Sequence, residues 1–261
     1  MHKTAGLITI HVGPNFGSVL QTYATCKVLE RHGIMTTLIN YIPRRVTISG
    51  FLSNRKTFKA KLWAIMGMPI ILINDLIYGG FVKRHCKLTK KIYNEDGFRK
   101  LSLQFDRFIV GSDQVWNSKH NEGVDAMYYF PYVSQNSVKI AFASSFGREK
   151  LGQEEMNRIR SWLLDFKAIS VREASGISVL ESLGVDKAIQ LVDPTFLLSK
   201  EEWKDQLISR RIINEPYLLM YLPYNIVDKE EIYNYAREIA ADNKWKIVTF
   251  SWDVRKDKFA D

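Results

Sequence analysis

Short apolar runs alternate with helix-periodic stretches along the chain, and this alternation predicts an α/β protein. The first apolar run, residues 6–11, is followed by a turn cluster and by a stretch that places Leu20, Tyr23, Ala24 and Val28 on one helical face. Seven further runs have the length and composition of strands: residues 35–41, 105–110, 139–143, 168–171, 189–192, 217–221 and 246–250. Since helical patterns lie between several of them, the predicted fold is a doubly wound, mainly parallel, Rossmann-like sheet.

The same pattern divides the chain into two predicted domains. Residues 1–205 form an N-terminal α/β domain with a basic helical insertion at about residues 44–104. After a polar connector, residues 216–261 begin a second α/β domain with a strand, a helix and a strand. Two strands and one helix are too few for an independent core. We therefore expect the second domain to be truncated in this sequence.

The formal net charge of +9 is concentrated in one segment of the chain. Residues 44–107 contain 14 Lys and Arg but only four Asp and Glu. Such a segment attracts an anionic substrate, a polyanion or anionic lipid headgroups, and it is equally typical of a solvated helical face. Since the sequence contains no zinc-finger, RNP or KH signature, nucleic acid is not an expected partner.

Within this segment, four basic residues precede the apolar run 62–73: Arg55, Lys56, Lys59 and Lys61. That order is typical of an element that lies on a membrane surface. The alternative is a helix whose apolar face packs on the sheet while the basic side chains stay solvated. The run is shorter than the roughly 18–20 residues that cross a bilayer, and the N-terminus does not read as a signal peptide. We predict a cytoplasmic protein, with peripheral contact at the inner face of the membrane under the first interpretation.

Polar clusters follow the predicted strands, where α/β sheets bind their ligands. Asn15, Gly17 and Ser18 stand at a helix N-terminus, which suits a phosphate or carboxylate but also fits a simple helix cap. His11 is the one histidine near this loop, and a core or surface role is the alternative to a role in a site.

Two further clusters are rich in small polar residues. Ser112, Asp113 and Trp116 follow the apolar strand that ends at residue 110, and packing does not require so many polar residues there. Ser144 and Ser145 follow the next strand, where their small hydroxyl side chains let a ligand approach the backbone or simply form a turn.

The last two clusters carry charge at the ends of strands. Arg172 is able to bind an oxyanion through two hydrogen bonds, and the alternative is an ion pair with Glu173 or another carboxylate. Asp193 precedes Pro194. This pair either belongs to the site or only turns the chain toward the second domain.

Several familiar catalytic motifs are missing from the sequence. It contains no phosphate-binding loop, dinucleotide fingerprint, nucleophile elbow or zincin helix, and its five histidines and two cysteines have no metal-ligand spacing. We therefore predict neither a metal nor an organic cofactor.

Taken together, these blocks resemble the polysaccharide pyruvyl transferase family. The matching blocks are residues 15–24 (NFGSVLQTYA), 106–117 (DRFIVGSDQVWN), 143–147 (ASSFG), 169–173 (ISVRE) and 191–198 (LVDPTFLL), and with their flanks they cover roughly residues 6–205. The resemblance implies a two-domain fold similar to GT-B glycosyltransferases, with the active site in the cleft between domains. It also implies transfer of a pyruvyl group from phosphoenolpyruvate to a sugar of a surface polysaccharide or its lipid-linked precursor, as in exopolysaccharide assembly.

The chemistry that this resemblance implies assigns roles to the candidate residues. Arg172 is expected to hold the anionic donor, and Asp113 to contact or deprotonate a sugar hydroxyl. The expected substrate-binding residues are Asn15, Gly17, Ser18, Ser112, Trp116, Ser144, Ser145 and Glu173.

The family also places essential groups in a second-domain block that contains a His-Gly pair. This sequence ends before any such block. We therefore expect either a fragment of a longer protein or a degenerate, inactive member. Two other functions stay open at this point: a GT-B-like glycosyltransferase that uses a nucleotide sugar, and a non-catalytic module that binds a glycan precursor.

Overall fold

The computed structural model of the 261-residue chain describes residues 3–13, 15–47, 50, 73, 75–102, 105–134, 136–207, 212–222 and 229–250. The chain falls into two units, residues 1–199 and 200–261. The basic residues from Arg55 to Lys61 and the apolar run after them, apart from Ile73, lie outside the described residues. The GT-B-like arrangement of two domains stays a prediction.

A six-stranded parallel sheet organises the first unit. Its strands are β1 (Lys3–Ile8), β2 (Ile34–Leu38), β3 (Arg107–Val110), β4 (Val138–Ser144), β5 (Ala168–Val171) and β6 (Ala188–Gln190). They lie in the order β2-β1-β3-β4-β5-β6, and every neighbouring pair is parallel. The predicted α/β fold with a mainly parallel, Rossmann-like sheet is confirmed.

Helices connect these strands. The α-helices are α1 (Phe16–Arg31), α2 (Gly80–His85), α3 (Glu95–Ser102), α4 (Gln153–Leu164) and α5 (Ala174–Ser182). A π-helical turn spans Asp75–Gly79, and 3-10 turns span Arg44–Val46, Ala126–Tyr129 and Pro194–Leu197. No helix in the described part of the chain is long and apolar enough to cross a bilayer.

The central strands are buried on both faces, which explains why they read as apolar runs rather than as alternating patterns. Leu7 and Ile8 of β1 and Phe108 and Ile109 of β3 are at most 1% exposed. An aromatic-rich cluster covers one face, and the other face packs on α1 and α2 and includes the free, buried Cys26 and Cys86. This packing holds the carboxyl ends of β1 and β3 in fixed positions.

The strand order changes direction at β1. The chain passes from β1 to β2 on one side and then returns to place β3 on the other side of β1. Connections therefore leave the carboxyl ends of β1 and β3 in opposite directions. Open parallel sheets bind their ligands at such a switch point.

Strand β4 contains an irregularity directly before the serines of its cluster. Its register with β5 shifts between Ala141 and Ser144, and Ala143 adopts the left-handed region with φ of 52°. The Ser170 hydroxyl stabilises this bulge, because it accepts a hydrogen bond from the Ala143 N–H and donates one to the Ala141 carbonyl, both at 2.9 Å. Bulges re-aim the residues that follow them, and here those residues are Ser144 and Ser145.

The second unit contains two parallel strands, β7 (Tyr217–Tyr221) and β8 (Lys246–Phe250), and the helices α6 (Lys200–Leu207) and α7 (Lys229–Asn243). Both strand ranges agree with the sequence prediction. A small core packs α7 on the strands through Met220, Tyr233, Ala236, Ala240 and Ile247.

Candidate functional site

The loops that follow β1 and β3 meet at the switch point through a hydrogen bond. Asn15 caps α1, because its Oδ1 accepts from the backbone N–H of Ser18 at 3.1 Å. The Ser18 hydroxyl in turn donates to Oδ2 of Asp113 at 2.6 Å. The backbone N–H of Gln114 donates to the other carboxylate oxygen, Oδ1, at 2.7 Å. Residues predicted from separate blocks are thus joined at the edge of the sheet, with the Asp113 carboxylate fixed in orientation.

Two opposing effects act on the pKa of the Asp113 carboxyl. Burial raises the pKa of Asp113, while the hydrogen bonds from Ser18 and Gln114 and the positive charge on Arg172 lower it. The effect of burial is the larger, so the net shift of the Asp113 pKa is upward. A carboxyl group with a raised pKa at a candidate site is suited to acid or base catalysis near neutral pH.

Arg172, at the end of β5, is held between two carboxylates. Its Nε donates to Oε1 of Glu173 at 3.2 Å, and its Nη1 donates to Oδ2 of Asp193 at 3.0 Å. A guanidinium group has more N–H donors than these two bonds use, and the Arg172 side chain is 29% exposed. The carboxylates therefore orient Arg172 and leave it donors for an anionic ligand.

Asp193 links this arginine to the loop after β3. Its Oδ2 also accepts from the Ser112 hydroxyl at 3.0 Å, while its Oδ1 accepts from the Thr195 N–H and hydroxyl. Burial raises the pKa of Asp193, but the hydrogen bonds from Thr195, Arg172 and Ser112 outweigh it, so the net shift is downward. Asp193 therefore serves as an ionised anchor for Arg172.

The serine cluster after β4 completes the network. The Ser145 hydroxyl donates to Oε1 of Glu173 at 2.7 Å and accepts from the Gly147 N–H at 3.0 Å. Gly147 has a φ of +58°, and a Cβ there would lie 2.6–2.8 Å from the side chains of Asn117 and Gln114. Only glycine lets this loop pass so close to the loop after β3.

Trp116, one of the residues predicted to bind substrate, is buried in the structure. Its side chain is 1% exposed, its ring stacks on Tyr129 and contacts Phe146, and its indole N–H donates to the Tyr128 carbonyl at 3.1 Å. The indole is therefore part of the aromatic core beneath the loop, since a large apolar ring gains more from burial than from exposure.

Ser144 also faces inward. Its hydroxyl is fully buried and donates to the carbonyls of Val110 and Gly111, so it ties β4 to the end of β3. His11 is a core residue as well, with ring nitrogens 3.1 Å from the Thr9 carbonyl and 3.2 Å from Asn40 Oδ1. Burial lowers the pKa of His11 and favours its neutral form.

The site thus has two joined parts. The first is the switch-point pair, Ser18 and Asp113, and the second is the Arg172 network, which we define as Ser112, Ser145, Arg172, Glu173 and Asp193. Sequence analysis left open whether Asp193 joins the site and gave it no role. In the structure it accepts hydrogen bonds from both Arg172 and Ser112.

The fold and this site define a Rossmann-like α/β protein with an oriented arginine and a half-buried carboxyl at the carboxyl edge of its sheet. Comparison with protein families gives a match to polysaccharide pyruvyl transferase over residues 15–257. A search of the curated proteins gives no significant match. The chain belongs to the polysaccharide pyruvyl transferase family, a family of transferases that act on a sugar or polysaccharide acceptor.

Proposed function

We propose that the chain transfers the pyruvyl group of phosphoenolpyruvate to two hydroxyls of a sugar, with a cyclic pyruvate ketal and inorganic phosphate as products. The observation that carries this proposal is the hydrogen-bonded link between the Asp113 loop and Arg172. Ser112, directly before Asp113, donates to Oδ2 of Asp193 at 3.0 Å, and Arg172 donates to the same oxygen at 3.0 Å. The family match supports a sugar acceptor. An anionic donor requires an oriented cation such as Arg172. A hydroxyl nucleophile requires a nearby proton acceptor such as Asp113.

The donor places specific demands on the site. Phosphoenolpyruvate carries about three negative charges on its carboxylate and phosphate, which need cationic and N–H donors. Arg172 supplies such donors, and its orientation by Asp193 and Glu173 reduces the entropy lost when an anion binds. Near Asp113, the N-terminal turn of α1 begins at Phe16 and adds the positive end of a helix dipole.

The reaction that we infer has two additions at the same carbon. A proton adds to the methylene carbon of phosphoenolpyruvate, and a sugar hydroxyl oxygen attacks C2 while it loses its own proton. The bond between C2 and the phosphate oxygen then breaks, and phosphate leaves with the electron pair. A second sugar hydroxyl attacks C2 and loses its proton, which closes the ketal. Of the two protons that the hydroxyls lose, one balances the proton added to the methylene carbon and the other leaves on the phosphate.

In this scheme Asp113 accepts the proton of an attacking hydroxyl. Ionised Asp113 presents an acceptor oxygen to the hydroxyl. Burial raises the pKa of Asp113 and so increases the affinity of this oxygen for a proton, which favours a role as general base. The hydrogen bond from Ser18 fixes the rotamer of the carboxylate, so that a free lone pair is available to the substrate. Arg172 stabilises the negative charge that gathers on the departing phosphate.

Binding measurements separate this proposal from the glycosyltransferase alternative. We expect calorimetric titration to detect phosphoenolpyruvate binding and no binding of uridine diphosphate sugars over the same concentration range. The reverse selectivity would overturn the donor assignment, because it would identify a nucleotide-sugar enzyme.

We also infer peripheral contact of the chain with the inner face of the membrane, where lipid-linked sugar acceptors lie. The support is the sequence pattern of four basic residues directly before an apolar run. Each basic residue near an anionic leaflet contributes about 1 kcal/mol, so four produce measurable binding that salt weakens.

Flotation with phosphatidylglycerol-containing vesicles tests this contact. We expect the chain to float with the vesicles at low salt and to be released at high salt, and substitution of Arg55, Lys56, Lys59 and Lys61 by Gln to abolish flotation. The matched control substitutes Lys150, Lys167, Lys187 and Lys244 by Gln, which removes the same charge elsewhere and should leave flotation intact. An equal loss of flotation in both variants would show that only the net charge of the chain matters, and would contradict a contact through these four residues.

A further inference from the structure

A cavity of about 570 Å³ lies beside the Asp113 loop and is not part of the site described above. Its walls come from the segment after β2, with Tyr41, Arg44 and Arg45, from the loop after β3, with Asn121 and Asp125, and from Arg158 of α4. This volume lies within the range of small-molecule sites. We call it the arginine cavity.

The polar groups of the arginine cavity are held in place but not all satisfied. The Tyr41 hydroxyl donates to Oδ2 of Asp125 at 2.9 Å, and Nη2 of Arg45 donates to Oδ1 of Asn121 at 3.1 Å. Nε of Arg45 is buried and has no hydrogen-bond partner within the described residues. Since an unsatisfied buried donor is costly, a ligand oxygen at this position would be favoured.

The charge balance of the cavity favours an anion. Three arginines line it, and among the described residues Arg45 donates to a neutral amide rather than to a carboxylate. Of the lining carboxylates, Glu95 accepts two hydrogen bonds from Arg99, at 2.8 and 2.5 Å. Asp125 accepts hydrogen bonds from the Tyr41 hydroxyl at 2.9 Å and from the Met127 N–H at 3.1 Å. Since the Glu95–Arg99 pair is neutral, the three lining arginines face two further lining carboxylates, Asp125 and Glu122, which leaves one positive charge in excess.

The remaining lining suits a sugar. Aromatic side chains and planar polar groups bind the faces and the hydroxyls of saccharides, and the cavity offers Tyr41 and Tyr132 beside the amide of Asn121 and the carboxyl of Asp125. A ligand with both a sugar ring and a negative charge would therefore use the whole cavity.

The arginine cavity shares a wall with the loop that carries Asp113. This loop runs from Asp113 at the switch point to Asp125 in the cavity wall, and Nδ2 of Asn121 in that wall donates to the carbonyl of Val115, two residues after Asp113, at 2.8 Å. A saccharide in the cavity would thus lie against the loop that carries Asp113.

We propose that the arginine cavity is the acceptor site, and that it binds a saccharide bearing a phosphate or a carboxylate with the sugar directed toward Asp113. The acceptor role rests on the function proposed above. Binding of the anionic saccharide itself does not.

Calorimetry with defined probes tests the proposal. The probes are the 1-phosphates of glucose, galactose, mannose and N-acetylglucosamine, together with glucuronate, the matching free sugars and inorganic phosphate. We expect at least one anionic sugar to bind at least tenfold more tightly than its neutral sugar and than phosphate. Tighter binding of a sugar phosphate assigns the charge to phosphate, and tighter binding of glucuronate assigns it to a carboxylate. No preference for any anionic sugar overturns the proposal.

Two arginines of one helix provide a matched pair of variants. Arg158 lines the cavity, whereas Arg160, on the same helix, donates to the Leu183 carbonyl outside it, and both side chains are exposed. We expect R158Q and R45Q to weaken binding of the preferred anionic sugar at least tenfold, and R160Q to leave it unchanged. Equal affinity of R158Q and wild type, with both folded, overturns the assignment.

Phosphoenolpyruvate affinity, measured in the same variants, separates the two proposals. R45Q should retain wild-type affinity for phosphoenolpyruvate, and R172A should retain wild-type affinity for the anionic sugar. Absence of phosphoenolpyruvate binding with intact sugar binding would overturn the proposed function alone. The opposite result would overturn the cavity assignment alone.

Discussion

Replacement of Arg172 with alanine is expected to weaken phosphoenolpyruvate binding by about ten- to a hundredfold, because a charge-assisted hydrogen bond to an anion is worth about 1.5–3 kcal/mol. The structure adds a second reason for the loss. Without the guanidinium, the carboxylates of Asp193 and Glu173 would face the donor unneutralised and repel it. Isothermal titration calorimetry of the folded variant measures the change directly.

Two controls sharpen this result. Arg160→Ala removes an exposed arginine outside the network and should leave the affinity for phosphoenolpyruvate unchanged. Arg172→Lys keeps the positive charge but loses the planar guanidinium group that Asp193 and Glu173 orient. We therefore expect a loss of phosphoenolpyruvate affinity smaller than that of R172A. Unchanged affinity in a folded R172A variant would remove Arg172 from the donor site.

Replacement of Asp113 with asparagine is expected to lower turnover by about 10²-fold or more, since a general base contributes about that much to rate. Asparagine is nearly isosteric and keeps one acceptor oxygen for Ser18 or Gln114, but it accepts no proton at neutral pH. Phosphate release from phosphoenolpyruvate, with a panel of hexopyranosides as acceptors, measures the rate.

Stability as a function of pH provides the control for this variant. Because the pKa of Asp113 is raised in the folded state, the unfolded chain loses its proton first as pH rises above the ordinary value of 3.8. Wild type should therefore lose stability from that pH up to the folded-state pKa, and D113N should lack this contribution. A large fall in melting temperature for D113N at neutral pH would instead identify a structural role for the carboxylate.

Much of the sheet could be predicted from the sequence because strands buried on both faces leave a strong apolar signal. Residues 168–171, 217–221 and 246–250 match the observed strands β5, β7 and β8. The first strand shows where this signal is ambiguous. The apolar run predicts residues 6–11, but β1 spans Lys3–Ile8, since Ile10 and His11 lie after the end of the strand and are nevertheless buried.

The positions of the site clusters followed from the sequence, but their contacts did not. Ser18 and Asp113 are 95 residues apart and meet only because β3 pairs beside β1. The local sequence does not encode strand order. The link from Arg172 through Asp193 to Ser112 depends in the same way on which strands are neighbours.

Trp116 shows that a residue in a polar stretch of sequence can belong to the core. It lies three residues after Asp113, yet it points into a cluster of rings that includes Tyr129, Phe146 and Phe166. The polar residues around it cover the core, and Trp116 anchors their loop to that core. The arginine cavity was missed for a different reason, since it forms only where segments distant in sequence converge.

The most direct test of the proposed reaction is detection of its product. We predict that phosphoenolpyruvate labelled with ¹³C at its methylene carbon, incubated with the chain and a panel of hexopyranosides, gives a ketal methyl resonance and one phosphate for each ketal formed. A methylene resonance that stays unchanged with every acceptor, or the release of pyruvate without a ketal, would contradict the account.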